Sequence, residues 1–248
     1  MSRSKRRSRS GVQPSSPSTA IEKPLVPNAL STRELWLVAI LLVLGVGIRL
    51  AFPSRMAVEH FDEGVYASNV WFGPESGHQY PMRRLYAPPL LPSLIEWSMI
   101  FDEMGEPASH QVSSLAPLMP SLVAGCLTLL LVWKMTREWF GPAAGLAALT
   151  LAALSDFHAL YSRTALTEAL LLLFFVAAVW MIKRAFSTGS YRCLGLAGLL
   201  TGLAWWTKYN GWLPLAVGFG GLVIGFVLDA GCRSRFVRLS GFWLGAAA

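Results

Sequence analysis

The sequence predicts an all-α, polytopic transmembrane helix bundle with membrane-surface helices in its first large loop, and three observations predict it. Of 248 residues, 54% are hydrophobic and only 14% charged, against roughly 25% charged in an ordinary soluble domain. Apolar runs approaching membrane-spanning length recur along the chain. Lys and Arg gather in alternate connecting segments. A mean hydropathy of +0.47 excludes disorder over most of the length. Cys126, Cys193 and Cys232 fall in or beside apolar runs, so no disulfide framework is legible.

The elements follow in order. Residues 1–34 are rich in Arg, Ser and Pro and lack apolar periodicity, which predicts a disordered basic tail. Its cluster of cations reads as a topology signal or as a contact for anionic headgroups. The first apolar run, Leu35–Phe52, ends without a small-x-small cleavage site, so it reads as an anchor that stays. Further spans are expected at Leu115–Trp133, at Pro142–Leu154 extended through Leu160, and at Ala165–Ile182, Cys193–Trp206 and Trp212–Leu228. A seventh is expected to start at Leu239, so the sequence reads as the N-terminal part of a longer protein.

One topology satisfies every connection. With the tail on the cytoplasmic side, that side holds 15 of the 21 Lys and Arg, while the other holds ten of the 14 acids and all four His. Residues 53–114 then form a large extracytoplasmic loop. Spreading the basic residues over short cytoplasmic turns argues against nucleic acid as a partner, because no continuous basic face results.

Several constellations lie on the extracytoplasmic side. In HFDEGVYASNVW, residues 60–71, Asp62 and Glu63 open a short amphipathic stretch, and Asp62 and Tyr66 are spaced to share a helical face. A carboxylate held at the water boundary can take a proton from an attacking hydroxyl; it can equally cap a surface helix. In RRLYAPPLLPSLIEW, residues 83–97, Pro88, Pro89 and Pro92 predict a break and then a helix resting on the membrane. Arg83 and Arg84 could bind phosphate as bidentate donors or be solvated loop charges. In SRTALTE, Thr164 reads as an N-cap with Glu168 in the first turn after it, and Arg163 sits where a charge beside hydrocarbon is costly. Lys208, in GLLTGLAWWTKYNGW, is a snorkelling lysine or a cation for a lipid phosphate. Trp205, Trp206 and Trp212 read as an interfacial belt. His60, His78, His110 and His158 share that side with the acids, so a divalent metal is an option there, although no HxxxH spacing specifies one.

The order of these features resembles the N-terminal half of the dolichyl-phosphate-mannose protein mannosyltransferase superfamily, which includes the bacterial aminoarabinose lipid A transferases and has the GT-C membrane fold. The resemblance runs over about residues 33–248. It rests on Asp62-Glu63 in the first outer loop, Tyr86-x-Pro88-Pro89-Leu90, Ser162-Arg163-Thr164-Ala165-Leu166-Thr167-Glu168, and the Gly-Leu-x-x-Gly-Leu-Ala-x-x-Thr-Lys run ending at Lys208. It implies a glycosyltransferase that takes a sugar from a polyprenyl-phosphate donor and passes it to a protein or lipid hydroxyl on the extracytoplasmic face. Asp62 is similar to the catalytic base, and Glu63 completes that motif and orients its neighbours. Glu168 stands where relatives often have Asp facing the same cavity. Arg163 and Lys208, with Arg83 or Arg84, would meet the donor phosphate; Tyr66, Tyr86 and His60 would support the site. The resemblance also implies a bacterial cytoplasmic membrane with a periplasmic active face.

Two positions depart from the family pattern. Ala87 replaces a Lys common before Pro-Pro, which shifts that charge to Arg83 or Arg84, and Glu replaces Asp at 168. The rival from another class is a transporter or lipid flippase, which would bind at the bilayer midplane between broken helices and internal repeats. Here the carboxylates crowd one boundary, and no repeat relates the first three spans to the next three.

Overall fold

A computed structural model describes residues 29–58, 61–68, 88–105 and 115–228, together with isolated positions after 228. The chain from Ser31 onward forms one compact unit, and every regular element among the described residues is helical. The helices are α1 (Thr32–Leu50), α2 (Phe61–Ser68), α3 (Leu90–Gly105), α4 (Met119–Phe140), α5 (Pro142–Leu154), α6 (Asp156–Ser162), α7 (Thr167–Thr188), α8 (Tyr191–Thr207) and α9 (Leu213–Leu228). The tail, the segment 69–87, the segment 106–114 and the start of the expected seventh span lie outside the described residues, apart from isolated positions after 228.

By length and apolar composition, three stretches among these residues could cross a membrane: Ala116–Phe140, Thr167–Thr188 and Tyr209–Leu228. The pair α5 and α6, bent by 62° at Ser155, would make a fourth. The other two expected spans are less plain. α1 carries Arg33, Glu34 and Arg49, and α8 has 17 residues. Burial explains how α1 keeps its charges, since Glu34 and Arg49 are inside the bundle while Trp36, Ile40 and Val43 lie on its exposed apolar flank.

Two of the expected cytoplasmic loops prove to be helical. α4 runs on through Lys134, Arg137 and Glu138 to Phe140, and the whole link to α5 is Gly141, at φ 93°. That left-handed value suits glycine because it has no Cβ. The helix continues because its charged turn has partners inside the bundle. Arg137 donates from Nε to Glu34 Oε1 at 2.5 Å and from Nη2 to Glu34 Oε2 at 3.1 Å. The same pairing places the start of α1 beside the end of α4, so the two helices run antiparallel. α7 likewise continues past Lys183 and Arg184 to Thr188 and stops at Gly189, φ 70°.

Three apolar clusters hold the bundle together. Val38, Leu129, Trp133, Leu149 and Ala153 join α1, α4 and α5; Trp180, Met181, Ile182, Leu194 and Ala197 join α7 and α8. The third, with Tyr66, Leu91, Ile95, Leu118, Leu122, Ala165 and Leu170, packs the short helices α2 and α3 onto the end where α4 and α7 begin. This gathers the ends of α1, α5 and α8 and the starts of α4 and α7 at one pole, called the site end below.

Candidate active site

The site end is assembled by side chains that satisfy the unpaired backbone groups of neighbouring helix termini. α2 presents Asp62 and Glu63 in its first turn. Glu63 is 2% exposed, and its Oε1 accepts the backbone N–H of Ala165 at 2.6 Å. The hydrogen bond ties α2 to the turn before α7, 102 positions later in the chain. Tyr66, one turn on, is buried as well. The buried face of α2 is therefore Glu63 with Tyr66. Asp62, expected to share a face with Tyr66, is half-buried beside it.

Two arginines close the same region reciprocally. Arg49, near the end of α1, is fully buried. Its Nη1 donates to Gly45 O at 2.7 Å and Ala153 O at 3.3 Å, and its Nη2 donates to Ala152 O at 3.0 Å and to His158 Nδ1. It thus fills the carbonyls left open where α5 breaks into α6. Arg163, after α6, donates from Nη2 to Ala51 O at 2.9 Å and from Nη1 to Ile48 O at 3.4 Å, covering the end of α1. The chain leaves α1 through Phe52 at φ 53°, an unusual value for a residue with a Cβ.

The remaining charges meet across α7 and α8. Lys208 Nζ lies 2.5 Å from Glu168 Oε1, with both side chains about one-third exposed or slightly more. Lys208 follows α8 directly and is held by a tight turn. Gly211 N–H donates to Lys208 O at 2.8 Å, and a Cβ on Gly211 would fall 2.1 Å from the Ala204 carbonyl. Thr164, expected as the N-cap of the following helix, instead donates to Tyr161 O at 3.2 Å. α7 starts at Thr167 with Leu166 in the cap position and no side-chain cap, while the N–H of Ala165 in the preceding turn is met by Glu63.

One cavity borders this network and a second lies beside the apolar cluster of α2, α3, α4 and α7. The first, of about 420 Å³, is lined by Phe157, His158, Tyr161, Glu168, Asn210 and apolar residues of α7. The other, of about 850 Å³, lies between α3, α4 and α7 and is walled chiefly by Trp97, Phe101, Met119, Val123, Leu127 and Phe174. Among the described residues no three His, Cys, Asp or Glu side chains gather as metal ligands.

Of the residues singled out in the sequence, Asp62, Glu63, Tyr66, Arg163, Glu168 and Lys208 come to this one end. His60, Arg83, Arg84 and Tyr86 lie outside the described residues. Arg163 and Lys208, expected as cations for the donor phosphate, each have a protein partner. Arg49 is a member of the network that the sequence reading did not single out. Its signal was an ionisable residue inside an apolar run, which must find polar partners within the protein.

The family model of dolichyl-phosphate-mannose-protein mannosyltransferases matches residues 109–248. A solved structure, of the S. cerevisiae protein O-mannosyltransferase Pmt1-Pmt2 complex bound to the sugar donor, aligns with 88% of this chain at a TM-score of 0.63 and 21% identity. At that identity the likeness is one of fold, which is that of a GT-C membrane bundle. The chain spans 32% of the length of that relative. No curated protein matches it.

Proposed function

The chain belongs to the dolichyl-phosphate-mannose-protein mannosyltransferase family, and from that premise we propose that it acts in a membrane glycosyltransferase drawing mannose or a related sugar from a polyprenyl-phosphate carrier. The acceptor is a hydroxyl on a protein or lipid at the site end. Asp62 is the general base. The hydroxyl oxygen bonds to the anomeric carbon as the bond from that carbon to the phosphate oxygen breaks. The hydroxyl proton passes to the Asp62 carboxylate, and the carrier phosphate leaves with the bonding electrons. A single displacement of this kind inverts the anomeric configuration.

The observation that carries this reading is the Glu63–Ala165 hydrogen bond, which supports a shared rim for the Asp62 helix and the Arg163–Glu168 turn. Lys208, at the same end, would exchange its Glu168 partner for the departing phosphate and compensate its charge. The 850 Å³ apolar cavity suits the carrier's hydrocarbon chain. The site end would face the extracytoplasmic side.

The test follows release of labelled sugar from a polyprenyl-phosphate donor by full-length protein in membranes. Asp62→Asn should abolish transfer while the protein still inserts and folds. Equal transfer by both proteins would remove Asp62 from the chemistry, and a trapped glycosyl-Asp62 adduct would replace the single displacement with a double one.

A further inference from the structure

At the pole opposite the site, α4 and α7 exchange cations and rings. Lys134 Nζ of α4 sits 5.3 Å from the ring centre of Trp180 on α7, and Lys183 Nζ of α7 sits 5.6 Å from that of Trp139 on α4. Arg184 adds a third cation, 5.5 Å from the Trp180 ring. Rings under alkyl stems hold ammonium groups in place while leaving their N–H donors outward.

The acids of this region are already committed. Glu34 is consumed by Arg137. Glu138 Oε2 accepts the Trp180 indole N–H at 3.0 Å and lies 3.9 Å from Arg184. Lys134 and Lys183, both exposed, therefore remain uncompensated by carboxylates among the described residues. Trp139 also keeps a buried indole N–H with no acceptor among the described residues. Both lysines stand within about 10 Å of their helix ends, at 1.5 Å per residue, which is the depth of the headgroup boundary for a helix that spans the bilayer.

We propose that this pole of α4 and α7 binds the phosphodiester headgroups of anionic phospholipids, with Lys134 and Lys183 as the cations. The rings of the opposite helix pre-organise both ammonium groups, so little side-chain freedom is lost on binding. This proposal is independent of the glycosyltransferase reading.

The test uses the full chain in bilayers holding a minority of phosphatidylglycerol in phosphatidylcholine, with retained lipids counted by native mass spectrometry. Wild type should retain phosphatidylglycerol roughly tenfold above its bulk share. Lys134→Gln with Lys183→Gln should return it to the bulk share, and Lys134→Arg with Lys183→Arg should keep the enrichment. Wild type at the bulk ratio, or enrichment undiminished in the Gln pair, would overturn the proposal. Displacement of the lipid by millimolar inorganic phosphate would also overturn it, since it would mark a general anion site. Should the Gln pair fail to fold, brominated phosphatidylglycerol should quench wild-type Trp fluorescence more than brominated phosphatidylcholine; equal quenching counts against the proposal.

Discussion

Glu63 accepts the Ala165 amide at 2.6 Å although 102 positions separate them, and this one hydrogen bond pins the helix bearing Asp62 to the turn before α7. The contact uses a carboxylate oxygen as an acceptor, which an amide oxygen could replace. Glu63→Gln should therefore retain transfer to within about threefold. Glu63→Leu leaves a buried N–H unpaired, at about 1–3 kcal/mol, and should lower transfer well beyond that. Matched assays of the two variants beside Asp62→Asn separate positioning from chemistry. A Gln variant as inactive as Asp62→Asn, yet folded, would make Glu63 a chemical participant.

Arg49 supplies donors to three backbone carbonyls from a fully buried position. Arg49→Met should lower stability by about 2–4 kcal/mol, because the carbonyls at the α5 break lose their partners in an apolar setting. Arg49→Lys should recover only part of that, since one ammonium cannot reproduce the planar fork. Thermal unfolding in detergent reads both.

Glu34 and Arg137 form a two-point ion pair, 7% and 12% exposed at their side chains. Removing either partner alone should cost about 3 kcal/mol, because the other charge is left buried. Exchanging the two, Glu34→Arg with Arg137→Glu, should restore part of the loss. A double-mutant cycle on unfolding free energies measures the coupling, and strictly additive effects would show that the pair contributes nothing specific.

Glu168 and a donor phosphate would compete for Lys208 under the proposed function. Glu168→Gln should lower the KM for the polyprenyl-phosphate donor by a few-fold, and Lys208→Gln should raise it. The pair is partly open to solvent, so both effects should be modest and weaken with added salt. Unchanged donor KM in Lys208→Gln would separate this lysine from phosphate binding.

Much of the fold is legible in the amino-acid order because bilayer physics writes directly into composition. An apolar run of near-spanning length, flanked by Trp, Lys or Arg, has few alternatives to a helix. The helices α8 and α9 accordingly lie close to their expected bounds. Expectation and structure part where charges interrupt the apolar pattern. Lys134 and Arg137 mark a loop by composition, yet α4 passes straight through them, since Glu34 sits where it can accept Arg137. Thr164 fits a local capping pattern, but α7 begins three residues later, at Thr167, and the Thr164 hydroxyl donates back to Tyr161 O.

The amino-acid order alone determined that this chain is a multi-pass helical membrane protein and that Asp62 and Glu63 open a short helix after its first apolar run. Those properties follow from hydropathy, charge placement and local spacing, each readable within a few residues. Tertiary structure decided which charges are occupied: Arg163 on the end of α1, Arg49 on the break between α5 and α6, Lys208 on Glu168, and Glu63 rather than Asp62 in the buried position. A buried charge or an open helix terminus must find a partner. Neither says from its own neighbours which partner, because the pairing depends on helix ends brought together from distant parts of the chain, 102 positions apart for Glu63 and Ala165.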